Sequence, residues 1–391
     1  MKTLIELYDD RPQENVLSTE VFRPECTVYI CSQAVARDTK GQQKLKEYFA
    51  HRGVQSRLVF LPTLMFDAQA VLEQLRQVTA EYPDCALDIT GGTDAALFAA
   101  GQLCSGLDLP VFTYSRKRNR FFNIHNAAFA HELDCPVQYT VEDCFMMVGG
   151  AMRRGRVDNG VLDDYLDLFD PFFQLYLKHR RDWNRIVTYM QRVSQPPKDG
   201  PIRLEVRGDY VVKGERGNRI NADEAALREM EKLGMIRGLS IQSGQSVRFR
   251  FRDEQVRAWL RDVGSVLELY VYKACRDTGL FQDVRTSAIV DWEGDGKQGN
   301  VTNELDVMAT RGVLPAFISC KTCDVKTEAL NELAILRDRF GGQMARAAIV
   351  TAELCSAIMR RRAAELDIDV IDLKDLRAGT IQDRLKALMQ V

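Results

Sequence analysis

The sequence predicts an α/β protein: two α/β parts joined by a middle of different texture. Three observations predict it. Over residues 1–143, short β-rich apolar runs alternate with helical stretches, the pattern of a parallel, doubly wound sheet. Over 144–262, aromatic-striped helices precede strand-like segments around a Ser-Gly-Gln turn. Over 263–391, a helix leads into a hairpin and a second helix. A length of 391 residues suits two or three such domains.

In the first part, residues 24–31 (PECTVYIC) form the first strong strand signal, with Ser32 at its C-terminal end. Residues 41–52 read as a helix, 54–61 as a strand, and 66–82 as a long helix closed by Pro83. A strand at 85–89 runs into Thr90-Gly91-Gly92-Thr93, which opens a helix over 95–104. Further strands follow at 110–115 and 120–124. In doubly wound sheets, ligands sit at the C-terminal ends of strands. The glycines permit close backbone approach, and the hydroxyls and helix N–H groups suit a phosphate or ribose. Equally, Thr93 and Ser32 read as plain helix N-caps. The segment is neither a Walker loop nor GxGxxG, which argues against NTP hydrolysis and dinucleotide redox chemistry.

In the middle, 163–178 and 183–193 are helical, and aromatic stripes there suit a core. Residues 194–201 (SQPPKDGP) read as a linker. A strand or hairpin at 202–213, a helix at 223–233 and two strands over 239–251 give a winged-helix-like outline. Arg248, Arg250 and Arg252 could there touch nucleic acid, although a connector serves as well.

Composition narrows the classes. Hydrophobic residues make up 46% and charged residues 28%, ordinary for a globular chain. A net charge of −2 gives no overall basic character, so nucleic-acid contact would need local patches, such as those at 116–120, 153–156 and 360–362. No apolar run approaches the ~20 residues of a membrane span, and the N-terminus has no signal-peptide pattern. A cytoplasmic protein without membrane contact is expected. The ten cysteines are scattered in apolar runs, and Cys320 with Cys323 is a lone CxxC, so buried thiols are expected rather than a zinc site.

The chemistry-bearing stretch is 303–321 (NELDVMATRGVLPAFISCK). Two apolar runs flank a Gly/Pro turn. Alternation puts Glu304 and Asp306 on one face, and Ser319 and Lys321 on one face. A carboxylate that holds a divalent cation beside a lysine that orients water suits phosphodiester cleavage. A surface hairpin with an ordinary ion pair suits the same residues. Upstream, 264–277 reads as a helix bearing Glu268; downstream, 326–340 reads as a helix bearing Glu328 and Glu332.

This order resembles the PD-(D/E)xK restriction-endonuclease-like superfamily over 263–391. The whole chain is similar to CRISPR-associated nucleases that pair a CARF domain with such a nuclease domain, the Card/Can type. The resemblance rests on DRPQENVL (10–17), Cys31-Ser32-Gln33, Ile89 to Thr93, WLRDVGSVLELYVY (259–272), Glu304-Leu305-Asp306 and Ile318-Ser319-Cys320-Lys321. It implies a Rossmann-like CARF sensor at 1–143, a helical and winged-helix-like connector at 144–262, and a nuclease domain at 263–391. It implies a homodimer that binds a cyclic oligoadenylate, usually cyclic tetra-adenylate, and cuts single-stranded DNA or RNA with Mn or Mg. Ser32, Gln33, Thr90, Gly91, Gly92 and Thr93 fall in its ligand-contacting segments, with Asp10 and Asn15 near them. Asp306, Lys321, Glu332 and Glu268 fall at its catalytic positions, and Asp306, Glu332 and Cys320, through its carbonyl, at its metal. The sequence departs from the pattern at Ser319, where the superfamily usually has an acid. Glu332 is expected to supply that acid, with Glu328 and Glu304 the other choices. A non-enzymatic regulator with a decayed nuclease domain, or a repair or restriction nuclease on an inert scaffold, are the competing readings.

Overall fold

The structure, a computed structural model, describes residues 1–10, 12–153, 157–195, 202–214, 217–297, 299–342 and 345–390. Most of the linker at 194–201 and the basic residues 154–156 lie outside the described residues.

The N-terminal sheet holds β1 (Thr3–Leu7), β2 (Cys26–Cys31), β3 (Arg57–Pro62), β4 (Cys85–Asp88), β5 (Val111–Ser115), β6 (Arg120–His125) and β7 (Leu133–Asp134), in the order β3-β2-β1-β4-β5-β6-β7. The strands from β3 to β5 run parallel. Helices α1 (Leu17–Phe22), α2 (Gln33–Arg37), α3 (Thr39–His51), α4 (Ala68–Glu81) and α5 (Asp94–Cys104) supply the crossovers, and α6 (Val141–Met146) leads out. Periodicity does not reveal β1. It is buried on both faces, so no alternation marks it, and Glu6 breaks its apolar run. The expected parallel sheet is also extended by an antiparallel pair, β5 with β6 and β6 with β7. Only residues 116–119 join β5 to β6, with Asn119 left-handed at φ 49°, and a link that short permits a hairpin but no crossover.

The second sheet is small. Strands β9 (Glu205–Asp209), β12 (Ile236–Gln242) and β13 (Ser246–Phe251) pair in the order β12-β13-β9, and β10 (Val211–Lys213) pairs with β11 (Arg219–Asn221). Helices α7 (Leu166–His179), α8 (Trp183–Val193), α9 (Glu224–Lys232) and α10 (Glu254–Trp259) accompany them. Along β13, Val247, Phe249 and Phe251 point inward while Arg248 and Arg250 stay exposed, the alternation of a half-buried strand. Trp183, Tyr176 and Phe172 are buried against one another, so the aromatic stripes are core.

The third sheet has the order β18-β17-β16-β15-β14-β8. It comprises β8 (Ala151–Arg153), β14 (Asp283–Asp291), β15 (Thr302–Arg311), β16 (Leu314–Lys321), β17 (Arg346–Thr351) and β18 (Asp369–Ile371). Its helices are α11 (Ser265–Asp277), α12 (Thr327–Gly341), α13 (Ala357–Glu365), α14 (Leu373–Ala378) and α15 (Ile381–Leu388). The short β8, in the stretch read as connector, pairs with the end of β14 and so completes this sheet. One hydrophobic core runs from Leu4 to Met389 through all three parts, and a second fills the other face of the N-terminal sheet under α4 and α5. Among the described residues no helix is long and apolar enough to cross a membrane.

The β15–β16 hairpin turns tightly at Gly312, φ 58°, and Val313; Leu314 and Pro315 already belong to β16. Its tip is docked on the N-terminal part. Tyr139 N–H donates to the Gly312 carbonyl at 2.9 Å, and the Gln13 amide donates to the Val313 carbonyl at 3.3 Å.

Candidate active site

The open end of the β15–β16 hairpin brings Asp306 and Lys321 together. A single oxygen, Asp306 Oδ2, accepts from Ser319 Oγ at 3.0 Å, Cys320 N–H at 2.6 Å and Lys321 Nζ at 3.2 Å. Hydrogen bonds to an ionised acceptor are short and strong, so these fix the carboxylate in place. Burial disfavours the Lys321 charge, but the Asp306 carboxylate outweighs it and holds the ammonium above its ordinary value. Both side chains keep contact with solvent, Lys321 at 34% and Asp306 at 17% exposure, as reacting groups must. Ser319, at the departure from the superfamily pattern, braces Asp306 rather than adding charge.

Glu268 approaches from α11. It is buried and accepts from Ser287 Oγ at 2.9 Å. Burial first, and then the charge of Asp306, push its carboxyl up to about 8. Ser287 makes this contact from within β14 in the left-handed region, φ 50°. That conformation costs a non-glycine residue on the order of 1 kcal/mol, so the surroundings must impose it. No sequence signal marked Ser287 or β14.

From α12, Glu332 lines the same cleft as Asp306, Ser319 and Lys321. Its Oε1 accepts from Asn303 Nδ2 at 2.8 Å, and its charge helps hold up Lys321. Glu304 also lines the cleft; Glu328 does not and is exposed. Of the residues the sequence offered for the second acid, the structure thus places Glu332 and Glu304 at the cleft. The buried Cys320 thiol is pushed well up by burial and by Asp306, so at neutral pH only its carbonyl could serve a cation.

Among the described residues, no group of three or more His, Cys, Asp or Glu side chains is placed to hold a metal ion. The donor chemistry nonetheless fits a hard cation. Carboxylate oxygens surround the cleft, and the repulsion between Glu268 and Asp306 is what a bound cation would relieve.

The N-terminal sheet has a second constellation. The strand order switches sides between β1 and β4, which pair in parallel, and the segments after β2, β1 and β4 meet at one edge. Ser32, after β2, accepts from Val35 N–H and so caps α2; Gln33 is exposed beside it. Asp10 is exposed after β1, whereas Asn15 is only 4% exposed and clamps that loop, donating to the Asp9 carbonyl at 2.7 Å and accepting from Asp9 N–H at 2.9 Å. After β4, Thr90 N–H donates to Asp88 at 2.7 Å, Gly92 N–H to Asp9 Oδ2 at 3.0 Å, and Thr93 caps α5. A Cβ on Gly91 would stand 3.1 Å from the Leu7 carbonyl, and on Gly92, φ 98°, 2.7 Å from Leu7 Cβ. Both glycines are needed for the loop to lie against β1, whatever it binds. Of the basic residues at 116–120, Arg116 pairs with Glu14 and Arg120 with Asp134.

Comparison with known proteins agrees with this architecture. Residues 253–390 match the family model described as "Card1-like, endonuclease domain". Across the chain, the structure is similar to protein VC1899 from Vibrio cholerae, with a TM-score of 0.75 and 18% identity over 98% of this chain and 97% of that one. It is similar also to Can2 from Sulfobacillus thermosulfidooxidans in complex with cyclic tetra-adenylate, with a TM-score of 0.70 and 16% identity over 100% of this chain and 98% of that one. No curated protein matches in sequence. The fold is that of a CARF-type α/β domain joined to a restriction-endonuclease-like α/β domain.

Proposed function

We propose that the protein is a metal-dependent nuclease switched on by a cyclic oligoadenylate, with single-stranded DNA or RNA as substrate. The observation that carries this is the Asp306–Lys321 contact at the mouth of the cleft, within the residues matched by the endonuclease family. Asp306 and Glu332, with the Cys320 carbonyl, would hold Mn or Mg. The ion, when bound, supplies Lewis-acid polarisation of the phosphodiester. Lys321 orients the attacking water and stabilises the charge that develops on the phosphate oxygens. Glu268, buried nearby and held by Ser287, would give the cation a further contact or support it from behind Asp306.

The activator, cyclic tetra-adenylate first among candidates, sits at the edge formed by Ser32, Gln33, Thr90 to Thr93 and Asp10, across a homodimer. Support for the second copy comes from Phe66 at 87% exposure and Phe98 at 62%, apolar side chains flanking the Thr93 cap. Ligand binding shifts the population between closed and open arrangements. A regulator with an inert nuclease domain is the second reading, favoured by Ser319 in place of an acid and by the exposed Arg248 and Arg250.

The test is incubation of the purified chain with Mn²⁺ and labelled single-stranded DNA and RNA, with and without cyclic tetra-adenylate. Cleavage only with the ligand is expected. Cleavage regardless of ligand removes the gating, and ligand binding without any cleavage moves the assignment to the regulator.

A further inference from the structure

Asn303 stands between the cleft and a tryptophan, and its two amide ends have different duties. Trp292 Nε1 donates to Asn303 Oδ1 at 2.9 Å, and Asn303 Nδ2 donates to Glu332 Oε1 at 2.8 Å. An indole N–H only donates, and a carboxylate only accepts. A residue between them must therefore accept on one side and donate on the other. An amide does so in one orientation only; Asp or Leu cannot do both.

Trp292 is itself fixed. Its ring meets Phe340 edge-on at 5.7 Å and lies under Arg339 at 5.9 Å, and its backbone N–H donates to the Val301 carbonyl at 3.1 Å. The loop that follows is tied at its root by Asp291, whose carboxylate accepts from Arg153, Asn300, Gly296 N–H and Glu293 N–H. From the N-terminal part, Lys44 on α3 donates to the Glu293 carbonyl at 2.9 Å and the Gly149 carbonyl at 2.6 Å. On the same helix, Gln42 donates to the Val35 and Ala36 carbonyls of α2, the helix capped by Ser32. Hydrogen bonds and adjacent residues thus lead from the α2 edge through Lys44 and Trp292 to the amide that holds Glu332.

We propose that Asn303 is a positioning residue that aims the Glu332 carboxylate at the cleft, with its own orientation dictated by Trp292 on the loop that Lys44 secures. This rests on the nuclease assignment above. Its place behind a cation-holding carboxylate predicts an effect on cation affinity, which a merely structural residue would not have.

Asn303→Leu tests it with a side chain of similar shape. The variant removes both the acceptor for the indole and the donor to Glu332 and adds no charge beside the cation. Trp292→Phe is the milder companion, keeping the ring against Phe340 and removing only the indole N–H. Both are made in the full chain, and Mn²⁺ affinity is measured by calorimetry beside ligand-activated cleavage, cyclic tetra-adenylate affinity and melting temperature. Asn303→Leu is expected to weaken Mn²⁺ binding and slow cleavage about tenfold or more, with Trp292→Phe smaller in the same direction. Ligand affinity and melting should hold. Unchanged Mn²⁺ affinity in Asn303→Leu overturns the proposal, as does a loss that merely follows a lowered melting temperature. If the unaltered chain binds Mn²⁺ but cleaves nothing, the nuclease assignment falls, and the calorimetric comparison still decides the role of Asn303. If the unaltered chain binds no Mn²⁺, the metal-dependent assignment and the positioning role both fall.

Discussion

Two places in this molecule set carboxyl groups side by side, and they are built for opposite ends. In the N-terminal sheet, Glu6 on β1 and Asp88 on β4 are register partners, 2% and 1% exposed. Ser18 and Thr90 donate to Asp88, and among the described residues no cation is paired with either carboxyl. Burial pushes Asp88 up to about 6, and burial with the Asp88 charge raises Glu6 well above its usual range. In the C-terminal sheet, Asp306 meets a lysine, opens to solvent and shares a cleft with Glu332. Crowded carboxyls alone therefore do not mark a site of chemistry. Access and an opposing charge distinguish the reactive group from the buried one.

The largest effect that could break this contrast lies at Asp306. Asp306→Asn leaves an acceptor for the Ser319, Cys320 and Lys321 donors but removes the charge. Cleavage is expected to fall on the order of a thousandfold while melting moves by a few degrees at most. Near-native cleavage would make Asp306 as structural as Glu6.

Next comes Glu6→Gln, expected to leave cleavage intact and to stabilise the fold in a pH-dependent way. Glu6 has a raised folded pKa, so the stability tied to its bound proton is complete below the unfolded value near 4.5 and is lost as pH rises beyond it. The glutamine has no proton to lose. The melting advantage of the variant should thus be absent at pH 4 and grow toward pH 8 to a few degrees, roughly 2–4 °C for each kcal/mol. Asp88 adds a loss of its own in both proteins, spread from about 4 to about 6. A pH-independent difference in melting would show that Glu6 is ionised in the fold.

The smallest effect separates two glutamates one helical turn apart. Glu328→Gln should change cleavage less than twofold, about the scatter of an assay, because Glu328 is exposed and outside the cleft. Glu332→Gln should cost about tenfold or more. Equal losses would undo the selection of Glu332.

How legible all this was in the sequence follows from how local each signal is. The hairpin of 303–321, the caps at Ser32 and Thr93 and the helix carrying Glu268 are written within a few consecutive residues, and the structure has each of them. The buried β1 is not, since a strand buried on both faces has no alternation to read. Nor are Ser287, whose left-handed backbone only its packed surroundings can impose, and Asn303, whose role appears only once Trp292 and Glu332 are beside it. Residues that act through a partner distant in sequence carry no local mark.

The two strands of the β15–β16 hairpin also act as a gauge block. About six residues separate Asp306 from the docked turn at Gly312, a span near 20 Å at strand rise. Any insertion or deletion of one residue would either turn Asp306 to the opposite side of the sheet or lift the turn from Tyr139 and Gln13. Natural variation in this protein should therefore alter the letters of that segment but never its length.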